Sequence, residues 1–285
     1  MEKTFETPGP IRLRVELFVG DVRVRAASST TTTVTLVPQG RDADELLDRF
    51  TVEQRGDEVI VQAPKLREGG LGWGRKASVD VEVELPERSE LDVRTGSGDV
   101  TAVGVLGRVV GATGSGDIAV DEIAGGDLKS GSGDIEARSV RGALSTKTGS
   151  GDVSVETANA ALDLVSGSGA ITVRRAEGSA RAKTGSGDVT IGASVADLEI
   201  LTGTGDVELG GIHGGQVKAR TGTGDVALGV VTGVAAYLDL NTVTGAVRVD
   251  LDEATGPEDA EATASLSIQS GSGDIHVKRA EVTLA

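Results

Sequence analysis

The pentapeptide Thr-Gly-Ser-Gly-Asp, or a close variant of it, returns ten times between Thr95 and Asp274. Its fifth position falls at Asp99, Asp117, Asp134, Asp152, Ala170, Asp188, Asp206, Asp225, Ala246 and Asp274, so the steps are 18, 17, 18, 18, 18, 18, 19, 21 and 28 residues. A fixed period near twenty marks stacked copies of one unit, each too small to bury its own apolar face. Eighteen residues extended at about 3.3 Å apiece give a perimeter of roughly 60 Å, too short to hold a crossover helix. Strands in such a unit must lie coil on coil as parallel ladders.

An apolar residue follows the fifth position in every copy, as at Val100, Ile118, Val153 and Ile275, and another usually comes two residues later, as at Val120, Val155 and Val277. Upstream of the corner the same alternation appears in Leu91 and Val93, Leu162 and Leu164, and Leu198 and Ile200. Period two on both sides of a Gly-rich corner predicts two short strands per coil. The fold class is therefore all-β, a parallel β-solenoid (β-helix) with about 18 residues per coil. Leu17 and Val19 stand where later coils carry hydroxyls, which predicts that Thr95 and Ser97, Thr148 and Ser150, Thr184 and Ser186, and Thr202 and Thr204 face inward. Hydroxyls there would satisfy turn backbone groups, and that inward parity argues against an ice-binding face.

Residues 1 to 90 form an irregular N-terminal β region with a first coil around Leu13 to Val24, and residues 91 to 285 form the regular repeats. Asp42 and Glu45 have capping-box spacing, and Ala43, Leu46, Leu47 and Phe50 share one helical face. One short capping helix is expected near the N-terminus, covering an open end of the ladders.

Glycine supplies 42 of 285 residues, as tight corners require, and the absence of cysteine removes both disulfides and thiolate metal sites. A formal charge of -16 argues against nucleic acid as a partner. No basic-then-apolar leader opens the sequence and no run of about eighteen apolar residues occurs, so the expectation is a cytoplasmic protein.

Val19-Gly20-Asp21-Val22, the strand ending Val83-Glu84-Leu85-Pro86 before Leu91, and the serial Gly-Ser-Gly-Asp-Val/Ile units resemble the bacterial putative-adhesin β-strand-repeat family, the toastrack domain. The resemblance spans roughly residues 11 to 279. It implies a parallel β-solenoid without known catalysis, in a family whose members often occur beside membrane-anchored envelope-stress components.

Candidate chemistry is sparse. The column Asp99, Asp117, Asp134, Asp152, Asp188, Asp206 and Asp225 reads first as turn caps countered by Arg94, Lys129, Lys147, Lys183 and Arg220. A calcium-binding β-roll is the competing reading, although such ions need six to eight oxygens and each coil offers one carboxylate. His213 and His276 lie several coils apart, and no nucleophile elbow or phosphate loop exists. A carbohydrate-binding, adhesive or carbohydrate-active β-helix is a further alternative, weakened by 2% aromatics. No catalytic residue, cofactor or resident metal is expected. Lys65, Arg67, Leu71, Trp73, Arg75 and Lys76 concentrate basic charge around the single Trp, in the pattern of a protein-partner or peripheral membrane contact. These readings converge on a non-catalytic scaffold or interaction module, with self-association or a protein partner and a link to envelope-stress assemblies.

Overall fold

The computed structural model describes residues 1–40, 43–64, 78–251 and 262–280. The chain divides into two compact units, Met1–Glu136 and Ala137–Ala285, and each is a parallel β-solenoid built from two facing ladders.

In the first unit the elements are β1 (Glu2–Glu6), β2 (Arg12–Glu16), β3 (Val22–Ala27), β4 (Thr31–Gln39), α1 (Asp44–Leu47), β5 (Thr51–Arg55), β6 (Glu58–Gln62), β7 (Ser78–Pro86), β8 (Glu90–Thr95), β9 (Val100–Thr113) and β10 (Ile118–Ser130). One ladder runs β5, β6, β2, β8, then the second half of β9. The facing ladder runs β1, β4, β7, β3, then the first half of β9. The coil made by β2 and β3 is first in sequence but second in space, because the chain goes outward through β4 to β7 before β8 resumes the stack. The pairings of β1 with β4, β4 with β7 and β5 with β6 are antiparallel, so strands cover the outer layer. The helix is present as a single turn, too short to be stable alone, and none of its residues is buried. Its N-cap is Ala43, which offers no side-chain cap; Asp42 lies outside the described residues.

The chain passes through β11 (Ile135–Val140) into β12 (Leu144–Thr148), β13 (Val153–Ala158), β14 (Leu162–Ser166), β15 (Ile171–Ala176), β16 (Ala180–Thr184), β17 (Val189–Ser194), β18 (Leu198–Thr204), β19 (Val207–Ile212), β20 (Gly215–Thr223) and β21 (Val226–Val230). It ends with β22 (Val234–Thr244), β23 (Val247–Asp250), β24 (Ala262–Ser272) and β25 (Ile275–Arg279). Even-numbered strands from β12 to β20 form one ladder and odd-numbered strands from β13 to β21 the other, in eighteen-residue register such as Leu144 with Leu162 and Val153 with Ile171. The sequence order then breaks. β24 pairs with both β20 and β22, and β25 with both β21 and β23. The last coil in sequence is thus slotted beneath the coil that precedes it, and β22 and β23 become the outermost layer.

Between the facing ladders lies a core one coil thick. Ile171 and Val173 are fully buried, as are Val189 and Leu164; each such side chain contributes about 1.5 to 3 kcal/mol. No single coil thereby offsets about 1 to 2 kcal/mol of backbone entropy per residue, so layers are stable only against neighbours. Thr146 interrupts the apolar column and its Oγ1 is buried without a hydrogen-bond partner.

Candidate functional site at the corners and the outer layer

The corner carboxylates act between coils. In the first unit Oδ1 of Asp21 accepts the backbone N–H of Asp99 at 3.1 Å, Asp99 that of Asp117 at 2.9 Å, and Asp117 that of Asp134 at 2.8 Å. In the second unit Asp152 accepts from Ala170, Asp188 from Asp206, Asp206 from Asp225, Asp225 from Asp274, and Asp274 from Ala246, all at 2.7–2.8 Å. The sequence reading had each carboxylate capping its own turn; the donor instead belongs to the next coil, because stacked corners bring that amide within reach. Of the basic residues expected to answer the column, Arg94 and Lys129 instead reach Asp92 and Asp127 on their own strands.

The first hydroxyl of each corner faces inward as expected. Ser166 Oγ donates to the Gly151 carbonyl at 2.9 Å while accepting the Gly169 N–H at 2.9 Å, and Ser130 repeats the pattern with Gly116 and Gly133. The second hydroxyl does not. Ser97, Ser150, Ser186 and Thr204 are exposed, as is Val19, because the Gly-rich corner reverses the parity that holds along a strand. Glycine before this hydroxyl is a packing requirement: a Cβ at Gly222 would sit 2.5 Å from the Gly203 carbonyl oxygen.

The outer layer of the second unit departs from all of this. Val243 stands where other corners have Gly, and Ala246 where most have Asp. The core positions are uncovered: Val247 and Val249 are 45% and 43% exposed, whereas Ile275 and Val277 one layer below are at 0%. Leu238 and Leu240 are half-buried, and Tyr237 and Val243 are exposed at 58% and 81%. Among the described residues, β22 and β23 have a pairing partner on one side only, so one row of backbone N–H and C=O groups stays open. The charged side chains of the layer are Asp239, Arg248 and Asp250, the last bonded to His276 Nε2 at 2.7 Å.

Other chemistry-bearing groups are spent on structure. His213 and His276 are not brought together; the His213 backbone N–H pairs with Ser194 within the ladder. A solvent-open hollow of about 400 Å³ lies over the starts of β2, β6 and β8. Its charged lining balances in sign, with Arg12 bonded to Glu90 at 2.9 Å. Arg88 on its rim is left-handed, at φ 65°. The surrounding turn accounts for that: Arg88 N–H donates to the Val105 carbonyl, and Ser89 Oγ donates to Pro86 while accepting from Ile11. On β2, hydrogen bonds from Arg14 hold the Glu16 carboxyl below its ordinary pKa, against opposing burial, with Gln62 Nε2 adding a bond at 2.9 Å. Lys65, Arg67, Leu71, Trp73, Arg75 and Lys76 lie outside the described residues.

The family described as Toastrack DUF4097 matches residues 11–194 and again 142–284. The chain belongs to that family. No curated protein matches this toastrack chain. Similar solved structures include a putative adhesin from Bacteroides fragilis, at 13% identity and a TM-score of 0.41, covering 97% of this chain and 96% of that one. A putative cell adhesion protein from Clostridium sporogenes aligns at 12% identity and TM-score 0.24, over 98% and 99% of the two chains. A putative lipid binding protein from Parabacteroides distasonis aligns at 11% identity and 0.37, over 98% and 96%.

Proposed function

We propose that this toastrack protein is a non-catalytic scaffold whose recognition surface is the outer layer formed by β22 and β23. One observation carries the reading. Corner carboxylates and inward hydroxyls in the interior layers are committed to neighbouring coils, whereas among the described residues the outer layer keeps apolar side chains exposed and one row of strand backbone unpaired. An open edge of that kind recognises other polypeptide by adding a strand, with main-chain bonds for affinity and alternate side chains for selectivity. The finer setting, an envelope-stress assembly, rests on the family resemblance. In the host, a Leu240→Lys/Val249→Lys chain, shown folded by circular dichroism, should reproduce the phenotype of deleting the protein, while Asp206→Asn should not. Full function with the edge charged would overturn the reading. So would a calcium-dependent rise in melting temperature, abolished by chelator and by Asp206→Asn, because that would make the column an ion site.

A further inference from the structure

We infer that the occupant of the β22–β23 edge is a second copy of this chain, docked by a two-fold axis so that outer layers pair antiparallel. The inference rests on the proposed recognition surface and adds the partner and the symmetry.

Three features select this occupant. The first is charge. The chain carries a formal -16, which opposes association of copies over most of its surface. Yet β22 and β23 together carry only Asp239, Arg248 and Asp250. On these two strands, two copies would bring little like charge together. The second is extent. The eleven residues of β22 span roughly 36 Å and the four of β23 roughly 13 Å, and with each sheet taking about 10 Å of width the layer offers roughly 500 Å² per partner. The total of about 1,000 Å² is at the small end for a specific interface.

The third feature sets the symmetry. In a head-to-tail stack a further parallel coil would rest on β22 and β23. The strand edge that a head-to-tail copy would have to offer, β1 and β5, carries Glu2, Lys3, Glu6, Glu53 and Arg55, and Lys3 Nζ is already bonded to the Val52 carbonyl at 2.9 Å. Antiparallel pairing about a two-fold axis does not need that charged edge. It covers Leu238, Leu240, Val247 and Val249 with the same residues of the other copy, and the contact closes on itself.

The test is sedimentation velocity over a thousandfold range of concentration, joined to a cysteine scan. The chain has no cysteine, so Asp239→Cys, Asn241→Cys and Val243→Cys can each be introduced alone. Antiparallel neighbours sit about 4.5 to 5.5 Å apart at Cα, within disulfide reach. The wild type should form dimers and no larger species. Leu240→Lys/Val249→Lys should weaken dimerisation at least tenfold while melting like the wild type at concentrations where both are monomeric, and at least one single-cysteine chain should cross-link to itself on oxidation. A wild type that stays monomeric throughout overturns the second-copy inference and leaves the edge open to another protein. Association blocked by the lysines but growing into longer chains, with no self-cross-link, overturns the two-fold axis alone. Dimers indifferent to the lysines overturn both the inference and the recognition surface beneath it.

Discussion

β1 and β5 run along the outer layer of the first unit, and β22 and β23 along that of the second. Both layers hold inward apolar positions with nothing stacked beyond them among the described residues. In the first unit Val52 is nevertheless 5% exposed, because antiparallel strands fold over the ladders and Lys3 bonds across from β1 to β5. In the second, Val249 remains 43% exposed. Charge and a crossing lysine are ordinary ways to blunt a strand edge. Among the described residues, they are used on the first layer and not on the second.

The sharpest way to break this contrast is to place the same charge in adjacent layers. Val277→Asp buries a carboxylate in a core one side chain deep and should cost more than about 3 kcal/mol, unfolding several coils together. Val249→Asp should cost less than about 1 kcal/mol in the monomer. Equal losses in denaturant titrations would mean that the outer layer is covered after all.

A second comparison concerns the corner. Gly222→Val should cost about 1 to 3 kcal/mol or more through overpacking against the Gly203 carbonyl, while Val243→Gly should change monomer stability by only a few tenths. Next in size, Asp206→Ala removes the acceptor for the Asp225 amide and should cost about 1 kcal/mol, with Asn retaining part of it. Ala246→Asp should leave the monomer's midpoint unchanged, because no further coil presents an amide to it. Thr146→Val, in the interior of the second unit, should instead stabilise by about 1 kcal/mol as an unpaired hydroxyl leaves the core.

On the sealed side, Lys3→Val with Glu53→Val should leave the fold intact while promoting association, read as a concentration-dependent rise in light scattering. The smallest effect belongs to Glu16. Its lowered pKa means that its stabilisation is fully present above the ordinary carboxylate range and fades as pH falls through the folded-state value. The stability gap between wild type and Glu16→Gln should therefore shrink on acidification, and a gap that widened would contradict the Arg14 contact.

Much of this was legible in the sequence, and the failures have physical causes. The eighteen-residue step fixed coil size, and alternation at Leu162, Leu164, Val153 and Val155 assigned the core. Parity could not be carried through Gly-x-Gly, so Ser97 and Ser150 were turned the wrong way. The layer order escaped because near-identical coils can stack in more than one order without changing their local pattern. Yet a signal was present: the 21- and 28-residue steps, the largest departures from the eighteen-residue register, flank that coil. The basic stretch around Trp73 lies outside the described residues.

The slotting of β24 and β25 beneath β22 and β23 also bears on how force and time act on the chain. A linear array ordinarily frays from its extremities, shedding one unit after another. Here the C-terminal strands are clamped on both sides, so a pull on that terminus must shear two hydrogen-bonded rows at once. Synthesis meets the same arrangement in reverse: the outer coil emerges from the ribosome before the coil on which it will rest. Closure of the second unit must await β24 and β25, making their arrival the step that locks the stack.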